Sequence, residues 1–150
     1  MNIRYRKVDD ETRPEGHWFY PLLRVFVRNG INMRPVLTLV DSGATDCIFS
    51  ASLGEALGID VRSGSSHEFQ AYDRQKNKGY IHKVQLQVPG FSHWINIDAV
   101  FIDAEVASIL GQQGFFESYQ VVFERFKRQF EINTKTDAII RNKRGYGRGR

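Results

Sequence analysis

One short segment of the chain combines the residue types that acid–base chemistry requires. Residues 37–45 read Leu-Thr-Leu-Val-Asp-Ser-Gly-Ala-Thr, so an apolar run ends directly at Asp41. A carboxylate at the end of a buried strand is costly unless polar groups hold it or it has a chemical task. The loop that follows supplies two hydroxyls, a glycine and a small residue: Ser42, Gly43, Ala44 and Thr45. Such a loop can aim the Asp41 carboxylate at a shared site, although Asp-Ser-Gly is also common where an aspartate only shapes a turn.

Alternating apolar residues predict the pair of strands that positions this loop. Every second residue from Leu23 to Val27 is apolar, which is the period of a strand and indicates one over residues 18–27. Asn29-Gly30 is a strong hairpin signal. The returning strand, residues 33–40, then delivers Asp41 to its C-terminal end.

A short helix and a long hairpin are predicted after the loop. Ser50 suits the N-cap of a helix that stops near Gly58. Residues 69–88 read as a hairpin whose tip, residues 72–77, is polar. The remaining elements are strands over 94–102 and 107–110, a one- or two-turn helix over 112–118, and a last hairpin formed by 121–123 and 129–132. The sequence therefore predicts a mostly β fold with one or two short helices.

Three landmarks, in the same order, resemble the retropepsin-like (retroviral-type, single-domain) aspartic protease family. Asp41-Ser42-Gly43-Ala44-Thr45 after an apolar strand resembles the active-site signature, and Ala after the glycine is typical of the retroviral branch. Ile109-Leu110-Gly111 resembles the second landmark, a strand that runs through the active-site loop with a short helix just after it. The hairpin between the two occupies the place of the family's substrate-covering flap. The resemblance covers roughly residues 18–132.

The resemblance implies a closed β-barrel-like acid protease fold that works as a homodimer on a peptide or protein substrate, with no cofactor and no metal. It assigns catalysis to Asp41 and a hydrogen bond across the dimer to the Ser42 hydroxyl. Gly43 would let a backbone amide approach the carboxylate, and Ala44 and Thr45 would support the loop.

Two features depart from the family pattern. Gln112 stands where retroviral members usually carry Arg or a similar residue directly after the second glycine. The flap-like hairpin also lacks the glycines that are usual at the flap tip. By position, the substrate contacts expected near that tip are Ala71, Tyr72 and Asp73.

The chemistry of amide hydrolysis requires two carboxyl groups. One ionised carboxylate takes a proton from water while a second, protonated one polarises the carbonyl. Two carboxyls about 3 Å apart cannot both ionise easily and share one proton. The other aspartates considered lack the context of Asp41: Asp46, Asp73, Asp98 and Asp103. The active species is therefore predicted to be a homodimer with one Asp41 from each subunit.

Length and composition fit one globular domain between two polar ends. The chain has 150 residues, of which 41% are hydrophobic, enough for a real core. Residues 1–17 are predicted to be a flexible arm, residues 18–132 the protease-like domain, and residues 133–150 a basic tail containing Gly and Arg. A single cysteine, Cys47, and the lack of a membrane-length or signal-like apolar run lead us to expect a cytoplasmic location.

The net charge of +4 is concentrated at one end of the chain. The last ten residues carry five basic side chains and no acid, and without them 16 basic residues stand against 17 acidic ones. Such a tail could contact nucleic acid through phosphates, but a solvated terminus explains it too, and a nucleic acid partner is not expected. The histidines show no metal-ligand spacing: His17, His67, His82 and His93.

The sequence thus predicts an aspartic endopeptidase that hydrolyses peptide bonds with a water activated between two Asp41 carboxylates. A second hypothesis is that the protein is a non-catalytic dimeric binding or scaffold module with the same fold.

Overall fold

A computed structural model of the chain describes residues 1–70 and 76–146, with the side chains of residues 1–68 and 78–140. The chain divides into two compact units. One unit consists of residues 23–115, and the other combines residues 1–22 with the chain from residue 116 onward.

Short strands dominate both units. The first six strands are β1 (Asn2–Arg4), β2 (Arg6–Asp9), β3 (His17–Tyr20), β4 (Leu22–Asn29), β5 (Asn32–Val40) and β6 (Cys47–Ser50). The next six are β7 (Ser65–Gln70), β8 (Lys76–Gln87), β9 (Ile95–Ile102), β10 (Ser108–Leu110), β11 (Tyr119–Glu124) and β12 (Gln129–Thr134). The helices are α1 (Ala51–Ala56) and α2 (Lys135–Tyr146), with 3-10 turns at Val61–Ser63 and Arg125–Lys127.

The unit of residues 23–115 is built on a closed barrel. Its strands follow the order β4-β5-β10-β6-β9-β8, and β4 also pairs with β8, which closes the circle of six. Leu23, Val25 and Val27 are buried, as their alternation predicts. Inside the barrel, the rings of Phe49 and Phe101 pack with centroids 5.8 Å apart. The predicted mostly β, closed barrel-like fold is therefore confirmed.

A three-stranded junction leads to the Asp41 loop. The β10 strand runs parallel to β5, with Leu110 opposite Val40, and antiparallel to β6, with Ile109 opposite Ile48. The sequence did not predict β6, because its four residues lie directly before the helix and read as the approach to it. These pairings set the end of β5 and the end of β10 side by side.

The two predicted short helices have different outcomes. Ser50 caps α1 as expected, with its Oγ accepting a hydrogen bond from the Leu53 amide at 3.3 Å, and Gly58 follows with φ of +72°. The segment predicted as a helix after β10, Gln112–Phe116, is irregular, and Gln113 already leaves the helical conformation with ψ of 123°. Gly114 breaks it, with φ of +88° and ψ of −64°, because these angles lie outside the right-handed helical region.

The second unit contains two strands within the segment expected to be a flexible arm. Residues 2–9 form β1 and β2, with β1 pairing to β12 and β2 to β3. The Met1 nitrogen donates to the Ile132 carbonyl oxygen at 2.7 Å. Main-chain hydrogen bonds on short edge strands order this segment, and its charged side chains gave no period-2 signal that could predict them.

The helix α2 was also not predicted. Its capping residue lies directly before it, where the Thr134 Oγ1 accepts a hydrogen bond from the Asp137 amide at 3.1 Å. Within the described residues, no helix is both long enough and apolar enough to cross a membrane. The domain limits 18–132 and the tail 133–150 stay predictions.

Candidate active site

The loop after β5 holds the Asp41 carboxylate against its own backbone. The Gly43 amide donates to Asp41 Oδ1 at 2.9 Å, and the Ala44 amide donates to the Asp41 carbonyl at 3.3 Å. Asp41 is half-buried, whereas Ser42 and Gly43 are exposed. A Cβ added to Gly43 would lie 3.2 Å from Asp41 Oδ1. The absence of a side chain at Gly43 therefore leaves room for the amide to approach the carboxylate.

The end of β10 is fastened to this loop along its length. Three backbone hydrogen bonds join them, from Asp41 N to Leu110 O at 3.1 Å, from Gln112 N to Ala44 O at 2.9 Å and from Gln113 N to Thr45 O at 2.8 Å. The two segments predicted as landmarks, Asp41–Thr45 and Ile109–Gly111, are thus brought into direct contact. Such bonds fix the loop at both ends and along its middle.

Gly111 lies where the two segments come closest. A Cβ at this position would stand 2.2 Å from the Asp46 carbonyl oxygen and 2.9 Å from the Ala44 carbonyl oxygen. Real Cβ atoms do not approach backbone oxygens so closely, so any larger residue would force β10 and the loop apart. The glycine is required by close backbone approach.

Two contacts of this region could not be predicted from the sequence. The Gln112 side chain donates from Nε2 to the Ser42 carbonyl oxygen at 2.7 Å, so the residue that replaces the family's Arg bonds to the loop. The buried Cys47 thiol donates to the Gln113 carbonyl oxygen at 3.3 Å. Both pairs join residues about 70 positions apart, for which local patterns give no signal.

A third unpredicted contact links the loop to the long hairpin. Asp46 Oδ2 lies 3.4 Å from Nε2 of His67, which belongs to β7. The Asp46 side chain is only 16% exposed, so its carboxylate faces the imidazole more than the solvent. The charge of this pair depends on protonation of the histidine.

The hairpin formed by β7 and β8 has the expected position in the chain. Its register pairs His67 with Gly79 and Gln70 with Lys76. The residues expected to contact substrate at its tip lie outside the described residues: Ala71, Tyr72 and Asp73.

The arrangement offers one half-buried carboxylate with a fixed backbone donor, on a loop held by a neighbouring strand. Such a group can hold or transfer a proton at one oxygen while the other stays hydrogen-bonded. Within residues 1–70 and 76–146, no three His, Cys, Asp or Glu side chains are grouped to hold a metal ion.

Comparison with known proteins gives matches to aspartic proteases. A protein-family model described as aspartyl protease matches residues 27–113. No curated protein matches the chain. A retropepsin-like aspartic protease from Rickettsia conorii is 18% identical, with a TM-score of 0.59, and the alignment covers 89% of this chain and 98% of that one. The EIAV protease complexed with the inhibitor HBY-793 is also 18% identical, with a TM-score of 0.47 and coverage of 62% and 82%.

The matched span includes both segments of the site. It contains the Asp41 loop and the end of β10, and it makes up more than half of the chain. The Rickettsia structure shares the fold over most of both chains. With this loop, this barrel and this match, the chain belongs to the aspartyl protease family and has its retropepsin-like fold.

Proposed function

We propose that two copies of this chain form one aspartic endopeptidase, in which the two Asp41 carboxylates activate a water molecule between them. The observation that carries the proposal is the position of Asp41. Its carboxylate is half-buried at the end of β5, accepts the Gly43 amide at 2.9 Å, and sits on a loop fastened to β10. Fixed positioning of a reacting group is a large part of catalytic power.

The other described aspartates of this unit support the need for a second copy. Several of them have basic partners of their own: Asp46 lies 3.4 Å from His67, Asp98 lies 3.1 Å from Lys83, and Asp103 contacts Arg62 at 2.5 Å. Asp60 also belongs to the described part of the unit, beyond α1 and without the glycine loop of Asp41. A second carboxylate in an equivalent setting is supplied most simply by another Asp41 across a two-fold axis.

The reaction then follows from the shared proton of the pair. The ionised carboxylate removes a proton from the water, whose oxygen attacks the carbonyl carbon of the peptide bond. The protonated carboxyl donates its proton to the carbonyl oxygen as the tetrahedral intermediate forms. When the C–N bond breaks, the pair gives its proton to the amine nitrogen and takes one from a hydroxyl of the intermediate as the carbonyl re-forms, so the pair is again singly protonated.

The remaining loop residues would act by positioning. Ser42 is exposed and would donate its hydroxyl across the dimer, as the family resemblance implies. Gly43 supplies the amide that holds Asp41, while Ala44 and Thr45 anchor the loop through their carbonyls. Ile109, Leu110 and Gly111 would carry the strand that holds this loop.

The substrate class is an extended peptide segment. Such a segment would lie between the Asp41 pair and the hairpins of the two subunits, with Ala71, Tyr72 and Asp73 as proposed contacts. Extended peptides suit such a cleft because their backbone groups can bond to strands. A cytoplasmic location stays a prediction from the single cysteine.

The test compares two isosteric aspartate variants in casein cleavage between mildly acidic and neutral pH. Asp41→Asn removes the proposed acid–base group and should abolish cleavage. Asp98→Asn is the matched control, because that exposed carboxylate only pairs with Lys83, and it should keep full activity. Cleavage should also fall at alkaline pH, where the pair loses its shared proton.

Two results would contradict the proposal. Full cleavage by the Asp41→Asn variant would remove Asp41 from the chemistry. A dimeric wild-type protein without cleavage of casein or of itself at any pH in this range would favour the binding or scaffold module.

A further inference from the structure

A second surface, distinct from the Asp41 loop, lies in the unit formed by the chain ends. We define the basic–aromatic surface as Trp18, Phe19, Arg125, Phe126 and Arg128. Trp18 and Phe19 lie on β3, and the other three residues form the turn between β11 and β12. All five belong to one compact unit.

The turn presents an aromatic ring to solvent among cations. Phe126 is 83% exposed, far more than the half-buried rings of β3. The ammonium of Lys127 lies 5.2 Å from its ring centroid. Arg128 has φ of +53° and ψ of +46°, a left-handed conformation that is uncommon for residues other than Gly, Asn and Asp. Stability of the turn alone would favour Gly or Asn in place of Arg128 and a polar residue in place of the exposed Phe126.

Stacking on aromatic rings holds the arginines of this surface. The Arg128 guanidinium carbon lies 4.0 Å from the ring centroid of Phe19. That of Arg125 lies 5.0 Å from Trp18 and 5.4 Å from Tyr5. A guanidinium stacked in this way keeps the N–H donors at its edge for an anion, with little further loss of rotamer freedom.

The positive charge of these two arginines is not neutralised by a local ion pair. Within the described residues, no carboxylate oxygen lies within 4.0 Å of the Arg125 or Arg128 guanidinium. Two of the nearby acids have basic partners of their own. Asp10 pairs with Arg13 at 3.4 Å and Glu124 with Lys127 at 2.6 Å, while Glu15 lines a cavity of about 270 Å³ with Arg125 and Arg128.

The unit that carries the basic–aromatic surface also has a net positive charge. Residues 1–22 and 116–150 contain 13 Lys and Arg against eight Asp and Glu, a formal charge of +5. Residues 23–115 contain eight against nine, a formal charge of −1. The sequence assigned the basic excess to the tail alone, and the structure adds a second basic feature on the β11–β12 turn.

We propose that the basic–aromatic surface binds single-stranded nucleic acid, with an unpaired base stacked on Phe126 and phosphates held by Arg125 and Arg128. Flat exposed rings interleaved with arginines are the pattern that binds single strands, because every base has a face to stack and every nucleotide a phosphate to pair. An acidic peptide would use the arginines but gain nothing specific from an exposed ring. Charge and aromatic exposure together therefore favour a nucleic acid over a polyanionic peptide.

The test measures fluorescence anisotropy of labelled random-sequence 20-nucleotide RNA and DNA with the full chain, between 50 and 200 mM salt. Phe126→Ala should weaken binding about 5- to 150-fold, since a base–aromatic stack is worth about 1–3 kcal/mol, and should leave the salt dependence unchanged. Arg125→Ala combined with Arg128→Gly should lower the slope of log affinity against log salt by about 0.7 for each phosphate that the variant no longer binds. The glycine accepts the left-handed conformation, so the turn is preserved.

Matched controls come from the other unit. Ile31→Ala removes a 98% exposed apolar side chain from another hairpin tip, and Arg24→Ala removes an exposed positive charge. Both should bind like the wild type. A variant with the five basic residues of the tail neutralised should keep the sensitivity to Phe126→Ala.

Four results would overturn the proposal. The first is no binding of the RNA or the DNA at 50 mM salt, and the second is an affinity that depends on the tail but is unchanged in the turn variants. The third is equally tight binding of an oligoglutamate whose affinity is unaffected by Phe126→Ala. The fourth is a dimer that becomes monomeric on Phe126→Ala. The last result, read by sedimentation, would mean that a second copy of the chain covers the ring.

Discussion

Replacing Gly111 with alanine tests how the Asp41 loop is held. The added Cβ would stand 2.2 Å from the Asp46 carbonyl oxygen, so β10 and the loop must separate by about 1 Å to restore ordinary contact. The separation strains the three backbone hydrogen bonds between them, each worth about 1 kcal/mol, and overpacking adds about 1–3 kcal/mol. We expect a loss of about 2–5 kcal/mol in the free energy of unfolding.

Thermal unfolding followed by circular dichroism measures this effect. For a chain of this size, each kcal/mol lowers Tm by about 2–4 °C, so Gly111→Ala should lower it by about 4–20 °C. Casein cleavage below Tm should fall about 100-fold, because a 1 Å displacement of a catalytic group has effects of that size.

Gly30→Ala is the control for this prediction. Gly30 also lies at a tight position, with φ of +58°, but nothing stands within 4 Å of an added Cβ. It should cost only the strain of a left-handed alanine, about 1–2 kcal/mol, and leave cleavage unchanged. If Gly111→Ala had the same Tm and activity as the wild type, β10 would not hold the Asp41 loop in position.

Three further predictions concern single contacts. Gln112→Ala removes the 2.7 Å hydrogen bond to the Ser42 carbonyl oxygen, so casein cleavage should fall several-fold. The midpoint of urea unfolding should change little, because the Gln112 side chain is exposed. An unchanged cleavage rate would show that this bond does not position the loop. Ser50→Ala removes the N-cap of α1 and should cost about 1 kcal/mol in urea unfolding, against little change for Glu55→Ala at an exposed position of the same helix. The pKa of Asp10 is lowered from its ordinary value of 3.8, chiefly by the hydrogen bond from the Thr12 hydroxyl. The ionised Asp10 therefore stabilises the fold above pH 3.8, and this contribution is lost as the pH falls through the lowered pKa. Thr12→Ala should raise the Asp10 pKa in an NMR titration, and an unchanged pKa would contradict this cause.

The segment around Asp41 could be predicted because its elements are encoded locally. The alternation from Leu23 to Val27, the Asn29-Gly30 turn and the apolar run into Asp41 each specify structure within a few residues. The cap at Ser50 is equally local. These signals were enough to place the loop at the end of a buried strand.

The features that escaped prediction depend on contacts between distant segments. The strands β1 and β2 are ordered by main-chain pairing with β12 and β3, and their charged side chains carry no strand pattern. The Asp46–His67 and Gln112–Ser42 contacts arise only when the barrel closes. The basic–aromatic surface likewise forms only when β3 and the β11–β12 turn belong to one unit.

A subunit-mixing experiment tests whether one chain carries only half of an active site. Wild-type protein is mixed with the Asp41→Asn variant, allowed to exchange subunits, and assayed for casein cleavage per wild-type chain. If each site needs two Asp41 carboxylates, an equal mixture should retain about half of the activity and a tenfold excess of the variant about one tenth. Activity per wild-type chain that stays constant at every ratio would show that a single chain holds a complete site, and would rule out a site shared by two subunits.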